Sequence, residues 1–130
     1  LASHSNCNAV YRHPRSLTDR QIDCIITRGG LIGINLYRAF LGRPGSAGFA
    51  AAHRHIRHVL ERGGEHVLAL GSDFDGCELE PCFAGVEKLE AFQDYLLANG
   101  MPQEQADALF YKNAEKFFQT LLQPQTDMLK

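Results

Sequence analysis

At 130 residues, 45% hydrophobic and 22% charged with a formal net charge of -2, the chain has the size and composition of one globular piece able to bury a core. Thirteen Lys and Arg are interspersed with fifteen Asp and Glu, which gives neither the basic stripe of a nucleic-acid binder nor an acidic tail. No apolar run approaches the roughly 20 residues that a membrane-spanning helix needs, and Cys7, Cys24, Cys77 and Cys82 lack the C-x-x-C spacing of zinc or redox sites, so they read as reduced thiols, as in a cytoplasmic protein.

The chain opens on "LASHSNCNAVYRHPR", where an apolar pair runs straight into Ser3, His4, Ser5 and Asn6. These are short polar groups able to orient an imidazole. So dense a start is what a cut through a domain would leave. In "LTDRQIDCIITRGG", Thr18 and Gln21 stand in capping-box relation and Ile22, Ile25 and Ile26 fall at helical spacing, with Gly29 and Gly30 as the stop. "LIGINLY" is apolar apart from Asn35 and suits a strand buried on both faces. A loop "GRPGSAG" leads to the helix "FAAAHRHIRHVLERGG", which presents Phe49, Ala52, Ile56, Val59 and Leu60 on one face and ends at a second Gly pair. "HVLALGSD" reads as a second buried strand, and "FDGCELEPCF" as a loop. Three helices follow: "VEKLEAFQDYLLANG", a segment opened by Pro102 and running to about Phe110, and "NAEKFFQTLL". Residues 123–130 form a polar tail expected to be disordered. The rhythm is that of consecutive βα units in an α/β fold, whose sites gather at the carboxyl ends of parallel strands.

Four groups of residues could carry chemistry. His4, at a strand end among hydroxyls, is either a metal ligand or a satisfied structural histidine. "GSDFDG" lacks the further oxygen ligands and closing Glu of a calcium loop. It is either a structural turn, with Asp75 capping the chain and Gly76 at positive φ, or the seat of a catalytic Asp73. Arg15, after Pro14, is either solvated or a fork for a carboxylate. His53, His55 and His58 have no carboxylate or cysteine nearby to complete a metal set, which favours a polar helix surface or local hydrogen bonding.

Taken jointly, "SHSN", "HPRSLTDRQID", "GGLIGINLY" and "HIRHVLERGGEHVLALGSDFDG" resemble, in order and spacing, the C-terminal part of the membrane dipeptidase (renal dipeptidase) family of zinc metallopeptidases, over residues 1 to about 120. The resemblance implies a (β/α)8 TIM-like barrel, of which residues 1–122 would be about three βα units plus terminal helices. It implies two zinc ions held by a His-x-Asp pair, a bridging glutamate and two histidines, with His4 as the second of those histidines. It further implies that Arg15 holds the terminal carboxylate of a dipeptide, that Asp73 handles protons beside the scissile bond, and that a D-residue is tolerated at the C-terminal position. One departure is Ser16, where family members often carry Asn. The sequence has no His-x-Asp, and a full barrel takes about 250 residues, so the chain reads as a fragment of an enzyme that is inactive alone. It is expected to self-associate or to pair with the missing N-terminal part of the barrel. Two other readings stay open: a non-catalytic assembly module, and another metal-dependent amidohydrolase.

Overall fold

The computed structural model describes residues 1–124. Of the expected polar tail, residues 125–130 lie outside those described. Two three-residue strands, β1 (Ile32–Ile34) and β2 (Leu68–Leu70), pair in parallel with Ile32 opposite Leu68, Gly33 opposite Ala69 and Ile34 opposite Leu70. The opening segment runs parallel along the other side of β1. Ala2 bridges Ile32, the Ala2 amide donates to the Leu31 carbonyl, and the Ser5 amide donates to the Gly33 carbonyl. Three parallel chain segments therefore lie side by side, in the order in which the sequence supplies them.

Helix α1 (Asp19–Thr27) starts at the expected capping box: the Thr18 side chain accepts from the Gln21 amide, and the Gln21 side chain accepts from the Thr18 amide. It connects the first segment to β1. Helix α3 (Phe49–Glu61) connects β1 to β2. Both end in the same way. Gly29 and Gly63 adopt positive φ, and the amides of Gly30 and Gly64 donate back to the carbonyls of Ile25 and Val59. That six-to-one bond is the Schellman closure, which satisfies carbonyls left open at a helix end and favours glycine at the left-handed position. A short helix, α2 (Arg38–Leu41), fills the four residues between the stretch read as a strand and the loop "GRPGSAG", and buries Phe40 and Leu41.

After β2 come two 3-10 turns, Pro81–Phe83 and Val86–Lys88, then α4 (Leu89–Ala98) and α5 (Gln103–Asp107). Pro102 is the N-cap residue of α5, one position earlier than a first-turn proline. A π-helical turn, Ala108–Lys112, then joins α5 to α6 (Asn113–Leu122) in one helical path. The core sits between the strands and the helices: Ile32, Ile34 and Leu68 meet Ile56, Val59 and Leu96, and Phe49, Phe83 and Phe92 stack with ring centroids 5.1 to 5.2 Å apart. Each of these side chains that is fully buried, as Phe83 and Phe92 are and the half-buried Phe49 is not, contributes about 1.5–3 kcal/mol relative to exposure. This packing fixes the strand ends on which the polar residues stand.

Candidate active site

At the carboxyl end of the strands the first polar residue of the middle segment, Asn35, is completely buried. Its backbone amide donates to Asn6 Oδ1 and its carbonyl accepts from Asn6 Nδ2, both at 2.9 Å, so the two chain segments are locked in register past the last ladder bond. The Asn35 side chain bridges in both directions. Oδ1 accepts from the Tyr37 amide at 2.7 Å, while Nδ2 faces the His4 carbonyl at 3.4 Å and Asp73 Oδ2 at 3.3 Å. A backbone N–H can only donate, so the Tyr37 bond fixes which end of the carboxamide is oxygen and leaves the NH2 for the other two partners. One side chain thereby joins the three strand ends that carry His4, Asn35 itself and Asp73.

His4 is half-buried, and Ser3 Oγ lies 2.7 Å from its Nδ1. That bond orients the ring and leaves Nε2 available to meet a ligand. The Ser3 backbone lies against Gly33 and Gly71: a Cβ at either position would collide with the Ser3 carbonyl oxygen. Glycine at both sites is what allows the His4 backbone to approach two strands at once.

Asp73 adopts φ +66°, the one non-glycine residue at positive φ among the described residues. The turn expected to place Gly76 at positive φ instead strains Asp73 itself. The reason is local: the Gly76 amide donates to the Asp73 carbonyl at 3.0 Å, closing the turn, and a Cβ at Gly76 would strike Asp73 Oδ1. The Cys77 thiol also donates to the Asp73 carbonyl, at 3.2 Å, and burial with the nearby carboxylate raises its pKa above the usual thiol range. Asp75 is exposed. Asp tolerates the left-handed region better than most residues, and such strain concentrates at functional positions.

Arg15 lies on the loop that leaves the first segment and is closed by the Leu17 amide donating to the Asn6 carbonyl. The Arg15 guanidinium is exposed and sits 5.7 Å from the centroid of the Phe40 ring, which also packs on His13 and Tyr37. The Arg15 amide donates to His13 Nδ1 at 3.1 Å. Arg15 thus shares the carboxyl end of the sheet with His4 and Asp73, but no hydrogen bond or ion pair among the described residues joins it to either.

The three helix histidines go separate ways. His53 meets the Tyr95 ring edge-on, and burial followed by the Arg57 charge lowers its pKa. His58 Nε2 is 2.6 Å from Asp19 Oδ1 on α1. His55, expected on a polar surface or in local bonding, is fully buried in the core. Its Nδ1 accepts from the Cys7 amide at 3.1 Å, which requires the proton on Nε2, and Nε2 donates to the Leu41 carbonyl at 3.0 Å. Burial is the main reason its pKa falls to about 4. His55 is therefore a neutral buckle that ties α3 to the turn after His4 and to α2. Cys7 beside it is inert as a nucleophile, since burial first and Asp19 second push its thiol up to about 12.

Asn35 is a residue that the sequence reading did not single out for the site, and His55 is one that it placed on a polar surface or in local bonding rather than in the core. A lone polar residue inside "LIGINLY" is the signal for the first, and a histidine on the Ala51, Ala52, Ile56 and Val59 face is the signal for the second. Among the described residues no group of three or more His, Cys, Asp or Glu is arranged to hold a metal ion. Since a catalytic zinc takes about three protein ligands, His4 alone does not make a metal centre. A cavity of about 400 Å³ bordered by Tyr11, Arg38, Gly42, Pro44 and Glu80 opens between the loops at this end. A larger cleft, about 650 Å³, lies among Gly30, Gly63, Val67 and α6 at the opposite end of the strands, away from His4, Asn35 and Asp73.

Parallel strand segments with connecting helices and a polar cluster at their carboxyl ends define an α/β protein. The family model for membrane dipeptidase, peptidase family M19, matches residues 1–128, and the chain belongs to that family. An uncharacterized protein of Klebsiella pneumoniae, encoded in the pqqA 5' region, is 37% identical over 117 residues, covering 87% of this chain and 43% of that protein. An uncharacterized dipeptidase of Schizosaccharomyces pombe is 33% identical over 98 residues, covering 74% of this chain and 23% of that one. The crystal structure of a metallopeptidase from Rhodobacter sphaeroides, liganded with a phosphinate mimic of the dipeptide L-Ala-D-Ala, aligns with a TM-score of 0.83 and 33% identity, over 89% of this chain and 34% of that chain. Structures of this family are TIM-barrel-like α/β proteins. The chain spans less than half the length of these relatives.

Proposed function

We propose that this chain is the C-terminal portion of a zinc-dependent dipeptidase built on a (β/α)8 barrel, and that residues 1–122 are its share of that barrel. The observation that carries the reading is the meeting of His4, Asn35 and Asp73 at neighbouring strand ends, with Arg15 on the adjoining loop. Similarity to a metallopeptidase liganded with a dipeptide mimic supports dipeptides as the substrate class. In this reading His4 gives one ligand to a two-zinc centre whose other ligands lie outside this sequence.

The roles of this chain's own residues follow from their chemistry. The planar guanidinium of Arg15 meets both oxygens of the dipeptide's free carboxylate, and its place on the Phe40 ring restricts its swing. Asp73 carries a proton between the attacking water and the departing amine. Its positive φ turns the carboxylate toward the strand end, where Asn35 meets it.

Assaying the purified parent enzyme with free and C-terminally amidated dipeptides tests the proposal. Hydrolysis of the free dipeptides, poor hydrolysis of the amides and loss of activity on chelation are expected. A zinc-replete parent that cleaves no dipeptide would defeat it. The 130-residue chain alone should be hydrolytically silent and should associate with itself or with the rest of the barrel. Among the described residues, β2 has a strand partner on one side only. A strictly monomeric chain in sedimentation at several concentrations would contradict the second expectation.

A further inference from the structure

We infer that Asn35 is a positioning residue for Asp73: its Nδ2 holds the Asp73 carboxylate and the His4 carbonyl on one donor group, so the proton carrier and the strand end bearing the imidazole keep a fixed separation. The inference rests on the dipeptidase reading for its catalytic consequence, and on geometry alone for the coupling. Three observations carry it. Asn35 is completely buried inside an otherwise apolar run, a position where an amide is costly unless every polar atom is engaged. Every polar group of the residue is engaged: backbone amide and carbonyl with Asn6, Oδ1 with the Tyr37 amide, and Nδ2 with Asp73 and the His4 carbonyl. The partners come from three separate strand ends, 29 to 38 residues away for all but Tyr37.

The backbone of Asp73 explains why such a tether is needed. At φ +66° the residue is in a conformation that its own chain does not favour, and its side chain is half-exposed. The turn bond from the Gly76 amide and the Cys77 thiol both grip the Asp73 carbonyl, so they fix the main chain and leave the carboxylate free to rotate. Asn35 Nδ2 is the side chain that meets the carboxylate itself. Displacing a catalytic group by about 1 Å can cost a hundredfold in rate, so a donor that removes this freedom acts on turnover more than on substrate binding.

Asn35→Asp in the parent enzyme separates this role from a structural one. The substitution keeps the shape and the oxygen that accepts from Tyr37, but replaces the donor with a carboxylate that repels Asp73 or shares a proton with it. The expected result is a fall in kcat of about tenfold to a hundredfold with KM changed less than about threefold, at unchanged zinc content. A crystal structure of the variant should show the Asp73 carboxylate displaced. Full kcat with Asp73 in place would overturn the inference, as would equal losses in kcat and affinity with Asp73 unmoved. If the parent proves inactive on every dipeptide, the dipeptidase reading fails but the coupling does not: the crystallographic arm then decides, displacement supporting it and an unmoved Asp73 refuting it. Should Asn35→Asp not fold, Asp73→Ala supplies the reverse measurement, in which the Asn35 side-chain carboxamide resonances must shift if Nδ2 donates to Asp73. Unshifted resonances would refute it.

Discussion

Two polar networks join elements distant in sequence, and they do so in opposite surroundings. At the strand ends, Asn6, Asn35 and His55 are fully buried and carry their bonds inside the core. On the outside of the helix layer, Arg62 of α3 grips Asp23 of α1 through two nitrogens at 2.8 and 2.6 Å, and also reaches Asp19, while His58 meets Asp19. The outer network has better individual geometry, yet water competes for each of its groups. The inner one has longer bonds at Asn35, but nothing else could satisfy those atoms, so breaking it strands polar groups in the core. Bond length is thus a poor guide to which network matters.

If that contrast holds, the largest effect belongs to the residue at which the inner network reaches solvent. On the proposed dipeptidase reading, Asp73→Asn in the parent should leave fold and metal content intact and lower turnover by on the order of a hundredfold or more, the usual worth of a positioned acid or base. The amide is nearly isosteric, so a merely structural Asp73 would give lost stability with near-normal turnover per folded molecule. Zinc stoichiometry and turnover measured together distinguish the two.

Next in size is the acid limit set by His55. Its pKa falls to about 4 in the fold, against about 6.5 for an ordinary imidazole, so below about 6.5 the unfolded chain takes up a proton that the folded chain refuses. Stability is fully present above pH 6.5 and falls as the pH drops toward 4, by about 3 kcal/mol at about 1.4 kcal/mol per unit. His55→Gln, which can still accept from the Cys7 amide and donate to the Leu41 carbonyl, should flatten that part of the profile. Denaturant unfolding of both proteins between pH 7 and pH 4 provides the check, and an unchanged slope in the variant would assign the acid loss to other groups.

Much of this scaffold was legible before any coordinates. The Thr18–Gln21 capping box, both Gly-Gly helix stops and the two buried strands are local signals, and each sits where its few residues predict. Helix α2 has no counterpart in the sequence reading because four residues carry no periodicity, and it is held by burial of Phe40 and Leu41 rather than by propensity. His4, Arg15 and Asp73 were named from the sequence, and the structure brings His4 and Asp73 together through Asn35. The hub itself escaped notice because its partners lie 29 and 38 residues away, a distance that no local pattern spans. The strain assigned to Gly76 fell on Asp73 for a related reason: the Asp73 side chain fills the space beside Gly76, and the sequence of the turn does not say which residue yields.

Arg15 stands between the two networks, more exposed than the half-buried Arg62 and resting over the ring of buried Phe40. Arg15→Lys in the parent should raise KM for free dipeptides by about tenfold with a smaller change in kcat, because Lys keeps the charge and loses the two-point grip. C-terminally amidated dipeptides, which lack the second oxygen, should be affected far less. Equal loss for both substrates would place Arg15 away from the carboxylate.

The smallest effect is expected where the ion pairs look strongest. The hydrogen bond from Arg62 is the first cause holding the Asp23 carboxyl below its ordinary range, and the same bond raises the guanidinium. Water nevertheless reaches both groups, 50% of the Asp23 side chain and 30% of that of Arg62 being exposed, so the folded state gains little that water and salt do not already supply. Arg62→Ala should lower the melting temperature by no more than about 3 °C, and molar salt should reduce even that difference, because it screens the wild-type pair and leaves the variant unchanged. Arg62 is also the C-cap residue of α3, so the alanine variant keeps the backbone bonds to Leu60 and Val59 and tests the side chain alone. A drop well beyond that limit, insensitive to salt, would mean that the α1–α3 clasp is as firmly coupled to the core as Asn35, and the contrast between the two networks would no longer hold.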